Sequence, residues 1–333
     1  MRRLLGGVVV LTLVWSGYWA LAARTLDQGL AAWFAARRAE GWVAEYDTLA
    51  VAGFPTRFET TLTGLALADP DTGLAWAAPV FRFAAPSYQP QHVTATWPPA
   101  QQIATPRETI TLDSTTMQGA LAFRPGPALE LVQARYALAG VALISDAGWR
   151  AEMAQADLAS DAVADRPNAH HIVFSATQMR PPARLVAMLD KAQILPDLFE
   201  RIGIDATLDF DAPWDRHAVE DRRPQITRIE LALLDATWGR LALQAAGDLS
   251  VDGNGRPSGE IAIRATNWRE MVAIARASGR MSPRVADRIE GALGVVAGLS
   301  GRADTLDVTL RLAGGQTWLG PVPLGPAPDF TIR

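Results

Sequence analysis

The sequence predicts a mainly β protein with a few α-helices, built as a large twisted, partly curled antiparallel sheet carried on one N-terminal transmembrane helix. Three observations lead there. From Leu241 to Val251 the apolar residues fall on odd positions, and after Asp252-Gly253-Asn254-Gly255 the alternation resumes with Ile261, Ile263 and Ala265. Side chains on a strand alternate between faces, so these are two amphipathic strands with one buried face each, joined by a turn whose Asp-Gly and Asn-Gly pairs suit positive φ. Between Glu45 and Ser160, short apolar runs recur between Pro, Gly and Asp turn signals. Finally, Leu4 to Ala23 holds no charged residue.

That first segment is about twenty residues, which at ~1.5 Å rise each spans a hydrocarbon core of ~30 Å. Arg2 and Arg3 precede it, and Trp15, Tyr18 and Trp19 cluster near its far end as an aromatic belt. The arginine pair is expected to stay cytoplasmic, which makes the chain a single-pass inner-membrane protein with a periplasmic body. A cleaved signal peptide is the competing reading, because Ala20-Leu21-Ala22 has the small-x-small form of a cleavage site. Against cleavage, Arg24 to Arg38 continues without a helix breaker and places Leu26, Leu30, Trp33 and Phe34 on one stripe. The expected organisation is an anchor over 1–23, a membrane-proximal helix over 24–44, an N-terminal β half over 45–165 and a C-terminal β half over 166–333. The polar stretch Asp161 to Asn168 marks the boundary between the halves.

Along the first half, strands are expected at Phe58–Leu62, Leu74–Phe83, Thr109–Leu112, Gly119–Phe123, Leu129–Ile144 with a break, and Trp149–Leu158. Asp69-Pro70-Asp71-Thr72-Gly73 is a turn. In the second half His170–Gln178, Ile204–Phe210 and Leu306–Leu312 have strand character, and Asp211 to Pro224 is a charged loop. Helices are expected near 183–200, after Pro181-Pro182, and near 268–299. In the latter, Asn267 and Glu270 have capping-box spacing, Gly279 ends a first helix, and Ser282-Pro283 starts a second. Gly291, Gly294 and Gly298 in that second helix predict a neighbour approaching its backbone closely. Trp318 to Pro328 closes the chain as a proline-studded edge.

With 333 residues the chain has length enough for a sizeable core. Its net charge of −4 and scattered arginines offer no basic stripe, which argues against nucleic acid as a partner. The absence of cysteine removes thiolate catalysis, disulfides and Cys-ligated zinc.

No spacing specifies a reaction. Asp248, Ser250, Asp252, Gly253 and Glu260 imitate a calcium loop, but Gly259 stands where the closing carboxylate belongs, so a hairpin turn fits better. His170 and His171 are adjacent and point to opposite faces of a strand, and His92 and His217 are isolated, so no histidine metal site is expected. Asp209 and Asp211 share a face and could hold a cation or do acid–base work, although a solvated strand end beside Trp214 and Arg216 is the commoner arrangement. Trp33, Trp42, Trp76, Trp97, Trp149, Trp214, Trp238, Trp268 and Trp318 serve as core or edge packing, or line a groove. No catalytic, cofactor-binding or metal-binding residue is assigned, no cofactor is expected, and the chain is not expected to be an enzyme.

Gly53-Phe54-Pro55-Thr56-Arg57-Phe58, Ala78-Pro79-Val80-Phe81, Ser87-Tyr88-Gln89-Pro90 and Thr96-Trp97-Pro98-Pro99 resemble the N-terminal half of an uncharacterised bacterial family, domain of unknown function 2125, found mainly in alphaproteobacteria. Gly247-Asp248-Leu249, Gly255-Arg256-Pro257-Ser258-Gly259, Asn267-Trp268 and Leu319-Gly320-Pro321 are similar to its C-terminal half. The resemblance implies an envelope location and carries over no catalytic residue. More distantly, the C-terminal pattern is similar to AsmA-like envelope proteins, which are anchored by one N-terminal helix and implicated in lipid traffic. Two function classes follow: a periplasmic binder of lipid or another hydrophobic ligand, or a non-enzymatic envelope scaffold that binds another protein. An apolar groove favours the first, and a continuously filled core favours the second.

Overall fold

The computed structural model describes residues 2–191, 195–220, 222–277, 287, 290–291, 293–294 and 304–332. The fold is mainly β, every strand ladder is antiparallel, and a long apolar helix opens the chain, as the sequence predicts. The chain forms two compact units, Met1–Phe123 with Leu138–Gly148, and Arg124–Ala137 with Trp149–Arg333.

In the first unit a single helix, α1 (Arg2–Ala39), continues without interruption from the apolar segment into the membrane-proximal one. The strands are β1 (Val43–Glu45), β2 (Thr48–Ala52), β3 (Arg57–Ala68), β4 (Ala75–Pro86), β5 (His92–Thr96), β6 (Ala100–Ala104), β7 (Thr109–Asp113), β8 (Thr116–Phe123) and Leu138 onward of β9 (Leu131–Ser145). Both β1 and β2 pair with β3, which pairs with β4; β4 then pairs with β5 along one stretch and β6 along another. The Asp69–Gly73 turn forms as expected: the Gly73 N–H donates to the Asp69 carbonyl, and the Asp69 carboxylate accepts the Asp71 N–H and the Thr72 hydroxyl.

The core of this unit joins Phe34 of α1 to Ala44, Leu62 and Leu65, with Trp42, Tyr46, Trp76 and Phe81 packed around them. Phe58, Thr60 and Leu62 are buried at even positions of β3, but Leu65 is buried at an odd one. The change of parity falls at Gly64, which sits at φ +59 between the Thr63↔Val80 and Leu65↔Ala78 pairs, with the register the same on both sides of it.

The second unit is a meander. Its strands are the start of β9, then β10 (Arg150–Ala162), β11 (Ala169–Arg180), β12 (Phe199–Phe210), β13 (Ile226–Trp238), β14 (Leu241–Val251), β15 (Pro257–Thr266), β16 (Thr305–Ala313), β17 (Gln316–Leu319) and β18 (Val322–Pro326), each from β10 onward pairing with the next. The β14–β15 hairpin has the predicted faces, with Leu241, Ala245, Leu249 and Val251 buried on one and Gln244 and Asp248 exposed on the other. Its turn is held by Asp252, whose carboxylate accepts the Asn254 and Arg256 N–H groups while Gly255 takes φ +72.

The polar stretch Asp161–Asn168, expected to divide the chain, is the end of β10 and its turn into β11. Ala162 pairs with His170, and Asn168 supplies the positive φ the turn needs. The helix expected over 183–200 is only α2 (Ala183–Leu189), none of whose side chains is buried. Phe199 belongs to β12, where its ring lies 5.1 Å from that of Trp238. Leu185, Met188 and Leu189 are on α2, whereas Phe199 at near-helical spacing from them joins a strand with a neighbour on each side, a case that periodicity alone does not separate.

The charged loop contains the short α3 (His217–Glu220), and α4 (Trp268–Ala277) follows β15. Ser278, Gly279, Ser282, Pro283 and Gly298 lie outside the described residues, whereas Gly291, Leu293 and Gly294 are helical. The expected capping box does not form as such. The Asn267 side-chain amide donates to the Arg240 carbonyl, and the Glu270 carboxylate pairs with the Arg240 guanidinium at 2.7 Å. Asn267 sits at φ +56, in the left-handed region, and not in the extended conformation an N-cap adopts. Among the described residues no neighbour approaches Gly291 or Gly294 closely. A Cβ on Gly291 would meet nothing within 4 Å, and one on Gly294 only the tip of Arg269, at 3.8 Å. Leu293 is the residue that packs, with Trp268, Ala265 and Leu306.

Helix α4 thus covers one end of the apolar face of the β14–β16 sheet. The C-terminal tail covers another part of it: Ala327 and Phe330 lie against Ile229, Leu249, Val251 and Leu312. Backbone bonds Ala327 N–H to Gly315 O and Phe330 N–H to Gly255 O hold the tail, and Gln225 exchanges two side-chain bonds with the backbone of Ile332.

Candidate functional site

Helix α1 touches the sheet of its own unit at two places. Near the end of the apolar segment, Trp15 Nε1 donates to the Pro55 carbonyl at 3.0 Å, the Tyr18 hydroxyl to the Ser87 carbonyl at 2.9 Å, and Trp19 Nε1 to the Arg57 carbonyl at 3.0 Å. Trp19 also stacks on Phe58, ring centroids 5.7 Å apart, and meets Phe54 edge-on. Fifteen residues on, a distance of ~22 Å along a helix, Phe34 is buried in the core.

Between these two contacts the helix stands off the sheet and leaves a cleft of about 640 Å³. Its helix wall comes from Tyr18, Leu21, Ala22, Thr25, Leu26, Gly29 and Leu30, spaced along one face as a helical period requires. The opposite wall is Phe58, Phe83, Ala85, Pro90 and Val93 of β3, β4, β5 and the loop before β5. Phe58 pairs with Ala85 and Phe83 with Ala95, so these residues share one face of the sheet. Small residues make the space: Ala22, Thr25 and Gly29 face it, and a Cβ added at Gly29 would meet nothing within 4 Å.

The cleft is chemically plain. Its two hydroxyls are already committed, Tyr18 to the Ser87 carbonyl and Thr25 to the Leu21 carbonyl at 2.9 Å. No charged side chain is among its lining residues. Walls of this kind recognise a hydrocarbon surface and give a polar substrate nothing to bind. None of the nine body tryptophans considered for a groove lines it; the aromatic residues there are Tyr18, Phe58 and Phe83. Trp268 is core, Trp42 and Trp76 pack on the Phe34 cluster, and Trp238 donates to the Pro196 carbonyl. Small residues at positions 22, 25 and 29 carried a signal for the cleft, but in the sequence they look like an ordinary helix.

The aspartate candidates fall in the second unit, and each is engaged by arginines or backbone amides. Arg166 bridges Asp209 and Glu230, and Arg228 bridges Glu230 and Asp248. The hydrogen bond from Arg228 holds the Asp248 carboxyl below the usual range, and the Arg256 and Asn254 N–H groups do the same for Asp252. Burial pushes Asp211 up, but the Gln225 N–H and Arg222 outweigh it and its carboxyl also ends low. Carboxylates kept ionised by arginines and amides are not poised for proton transfer near neutrality. Asp209 joins the arginine ladder through Arg166, and Asp211 ties the 211–225 loop through Arg222 and the Gln225 N–H.

His170 is buried beside Ser160 and Phe210, while His171 faces the other way and meets Asp205 at 2.8 Å. His92 lies exposed on β5 and His217 on α3. Among the described residues no group of three or more His, Asp or Glu side chains is arranged to hold a metal ion.

No curated protein and no solved structure matches the chain. A family model does, over residues 19–328: that of the uncharacterized proteins conserved in bacteria, DUF2125.

Proposed function

Because the chain belongs to the DUF2125 family of uncharacterized bacterial proteins, with no activity to borrow, we propose from its geometry that it is a membrane-anchored binding protein whose α1–sheet cleft holds an acyl chain of a membrane lipid. The observation that carries this reading is the 640 Å³ apolar gap that starts within the last turns of the Leu4–Ala23 apolar segment, at Tyr18 and Leu21, and runs on to Leu30. Its volume lies within the range of small-ligand sites, and its walls match hydrocarbon. In this reading Arg2 and Arg3 keep the N-terminus cytoplasmic and the body is periplasmic. Cleavage at Ala22 would remove Trp15, Tyr18 and Trp19, the residues that fasten the helix to the sheet. Retention of the segment is therefore part of the proposal.

Magnitudes bear on what kind of binding this is. A methylene leaving water gains about 0.8 kcal/mol, so a chain delivered from solution would be held firmly. A chain arriving from the bilayer gains little, since lipid tails are as apolar as the cleft. Occupancy from the membrane is an exchange close to balance, which suits temporary residence and hand-over more than storage.

Native mass spectrometry of the full-length protein, gently extracted in detergent, tests this. The wild-type chain is expected to retain phospholipid or another acyl-chain ligand, and Gly29→Leu, which fills the cleft, is expected to lose it while remaining folded. Bare wild-type protein, or equal lipid on Gly29→Leu, would refute the reading. A protein-binding scaffold is the second reading, favoured by α2, which buries no side chain and leaves Leu185 and Met188 exposed at 45% and 59%.

A further inference from the structure

The two loops that grip α1 attach below the end of its apolar segment, and this fixes where the body sits. Arg24 is the first charged residue after Leu4, so it marks the headgroup level in the membrane-spanning reading on which this inference rests. Trp15, Tyr18 and Trp19 precede Arg24 by nine, six and five residues, which on a helix normal to the bilayer is ~13, ~9 and ~7 Å deeper. Their bonds to Pro55, Ser87 and Arg57 bring the 53–57 and 86–90 loops to those depths. A leaflet is about half of the ~30 Å core.

The loops have the chemistry such a position demands. Neither contains an acidic residue. Phe54 and Tyr88 are exposed at 53% and 67%, as are the apolar helix residues Leu4, Leu5, Val8, Val10, Leu11, Leu13 and Val14, each above 50%. In hydrocarbon a backbone polar group needs an internal partner, and several of the loop groups have one. The Gly53 carbonyl accepts the Thr56 and Arg57 N–H groups, Thr56 O accepts the Ser87 N–H, Pro86 O the Gln89 N–H, and Gln89 O the His92 N–H. The Pro55 carbonyl receives both Trp15 Nε1 and the Ser87 hydroxyl, the latter at 2.8 Å. Pro55, Pro86 and Pro90 have no N–H to satisfy. The one charge, Arg57, belongs to the shallowest of the three attachments and has a side chain long enough to reach the headgroups.

We propose that the Phe54–Arg57 and Ser87–Pro90 loops are embedded in the leaflet on the body's side, so that the cleft, which begins at Tyr18 and Leu21, opens within that leaflet and takes its lipid laterally from it. The distal end of the cleft, at Leu30, lies about six residues or ~9 Å beyond Arg24. A lipid entering sideways would therefore pass from hydrocarbon into the body without its chain crossing water.

The chain has no cysteine, so single nitroxide labels can be placed without a background. Phe54→Cys and Tyr88→Cys would be labelled in the full-length protein reconstituted in phospholipid vesicles, with Val10→Cys as a membrane control and Asp71→Cys as an aqueous one. The ratio of collision rates with oxygen and with a water-soluble nickel chelate is expected to be several-fold higher at 54 and 88 than at 71, approaching the value at 10. Ratios at 54 and 88 equal to that at 71, with 10 still buried in lipid, would overturn the embedded loops while leaving the anchor and the lipid-filled cleft standing. A low ratio at 10 as well would overturn the membrane span and this proposal together.

Discussion

The Tyr18 hydroxyl donates to the Ser87 carbonyl across 2.9 Å, joining residues 69 positions apart in the chain. Ser87 is buried, and its own hydroxyl donates to the Pro55 carbonyl, so one short relay ties the helix to both loops that flank the cleft. The relay has a structural and a functional side, because the same bond fixes the cleft's lower end and consumes its only phenolic hydroxyl.

Tyr18→Phe deletes this bond and keeps the ring beside Phe58. A hydrogen bond of this type is worth about 0.5–1.5 kcal/mol. The variant is expected to melt a few degrees lower in detergent and to be cut faster by protease within 53–57. A melting curve and a digestion rate equal to wild type would show that the helix is held by Trp15 and Trp19 alone.

How much of this was legible beforehand depends on the range of the interaction. Alternation on β14 and β15 and the Asp69–Gly73 turn are written in near neighbours, and they were read correctly. The apolar length of Leu4–Ala23 was equally plain. Phe199 reads as helical in the sequence because what makes it a strand residue is its partner Met179, twenty positions earlier. The positive φ at Gly64, beside the Asp47 carboxylate, and the Asn267–Arg240 bond are hidden for the same reason. The cleft is a further step removed: it exists because α1 is pinned at Trp19 and at Phe34 and small in between, and sequence shows the small residues without the pins.

Gly64 makes a second prediction. At φ +59 its position disfavours any L side chain, and a Cβ would run into the Asp47 carboxylate. Gly64→Ala is expected to destabilise the first unit by more than about 1 kcal/mol, the scale at which strained positive-φ sites respond. Asp47→Ala in the same chain removes the collision but leaves the backbone strain, so it should restore only part of the loss. Full recovery in the double variant would mean that crowding alone, and not φ, requires glycine.

The helix after Ser282 yields the third. Among the described residues a Cβ on Gly294 would meet only the Arg269 side chain, and none of them requires a glycine there. Gly294→Ala is expected to raise stability by up to about 1 kcal/mol through helix propensity. Leu293→Ala, by contrast, opens the cluster around Trp268 and should cost about 2–5 kcal/mol. Denaturant unfolding of the two variants checks both; a destabilised Gly294→Ala would show that a neighbour does approach this backbone.

The last prediction concerns pH. Burial beside Phe210 lowers the pKa of His170, against the opposing pull of Glu130 and Asp161, so the folded ring resists protonation more than the unfolded one. As pH falls through the unfolded value of about 6.5, the unfolded state takes up the proton first, and stability declines. The contribution is whole above 6.5, is lost as pH falls toward the depressed folded value, and levels off below it. The limiting slope for one proton is about 1.4 kcal/mol per pH unit. His170→Gln keeps a polar group for the Ser160 hydroxyl, which lies 3.1 Å from Nδ1, but cannot titrate. Between pH 7 and 5, above the range in which Asp248, Asp252 and Asp211 protonate, its unfolding free energy should fall less steeply than that of the wild type. If the two slopes coincide, the neutral buried imidazole is not what makes the fold sensitive to mild acid.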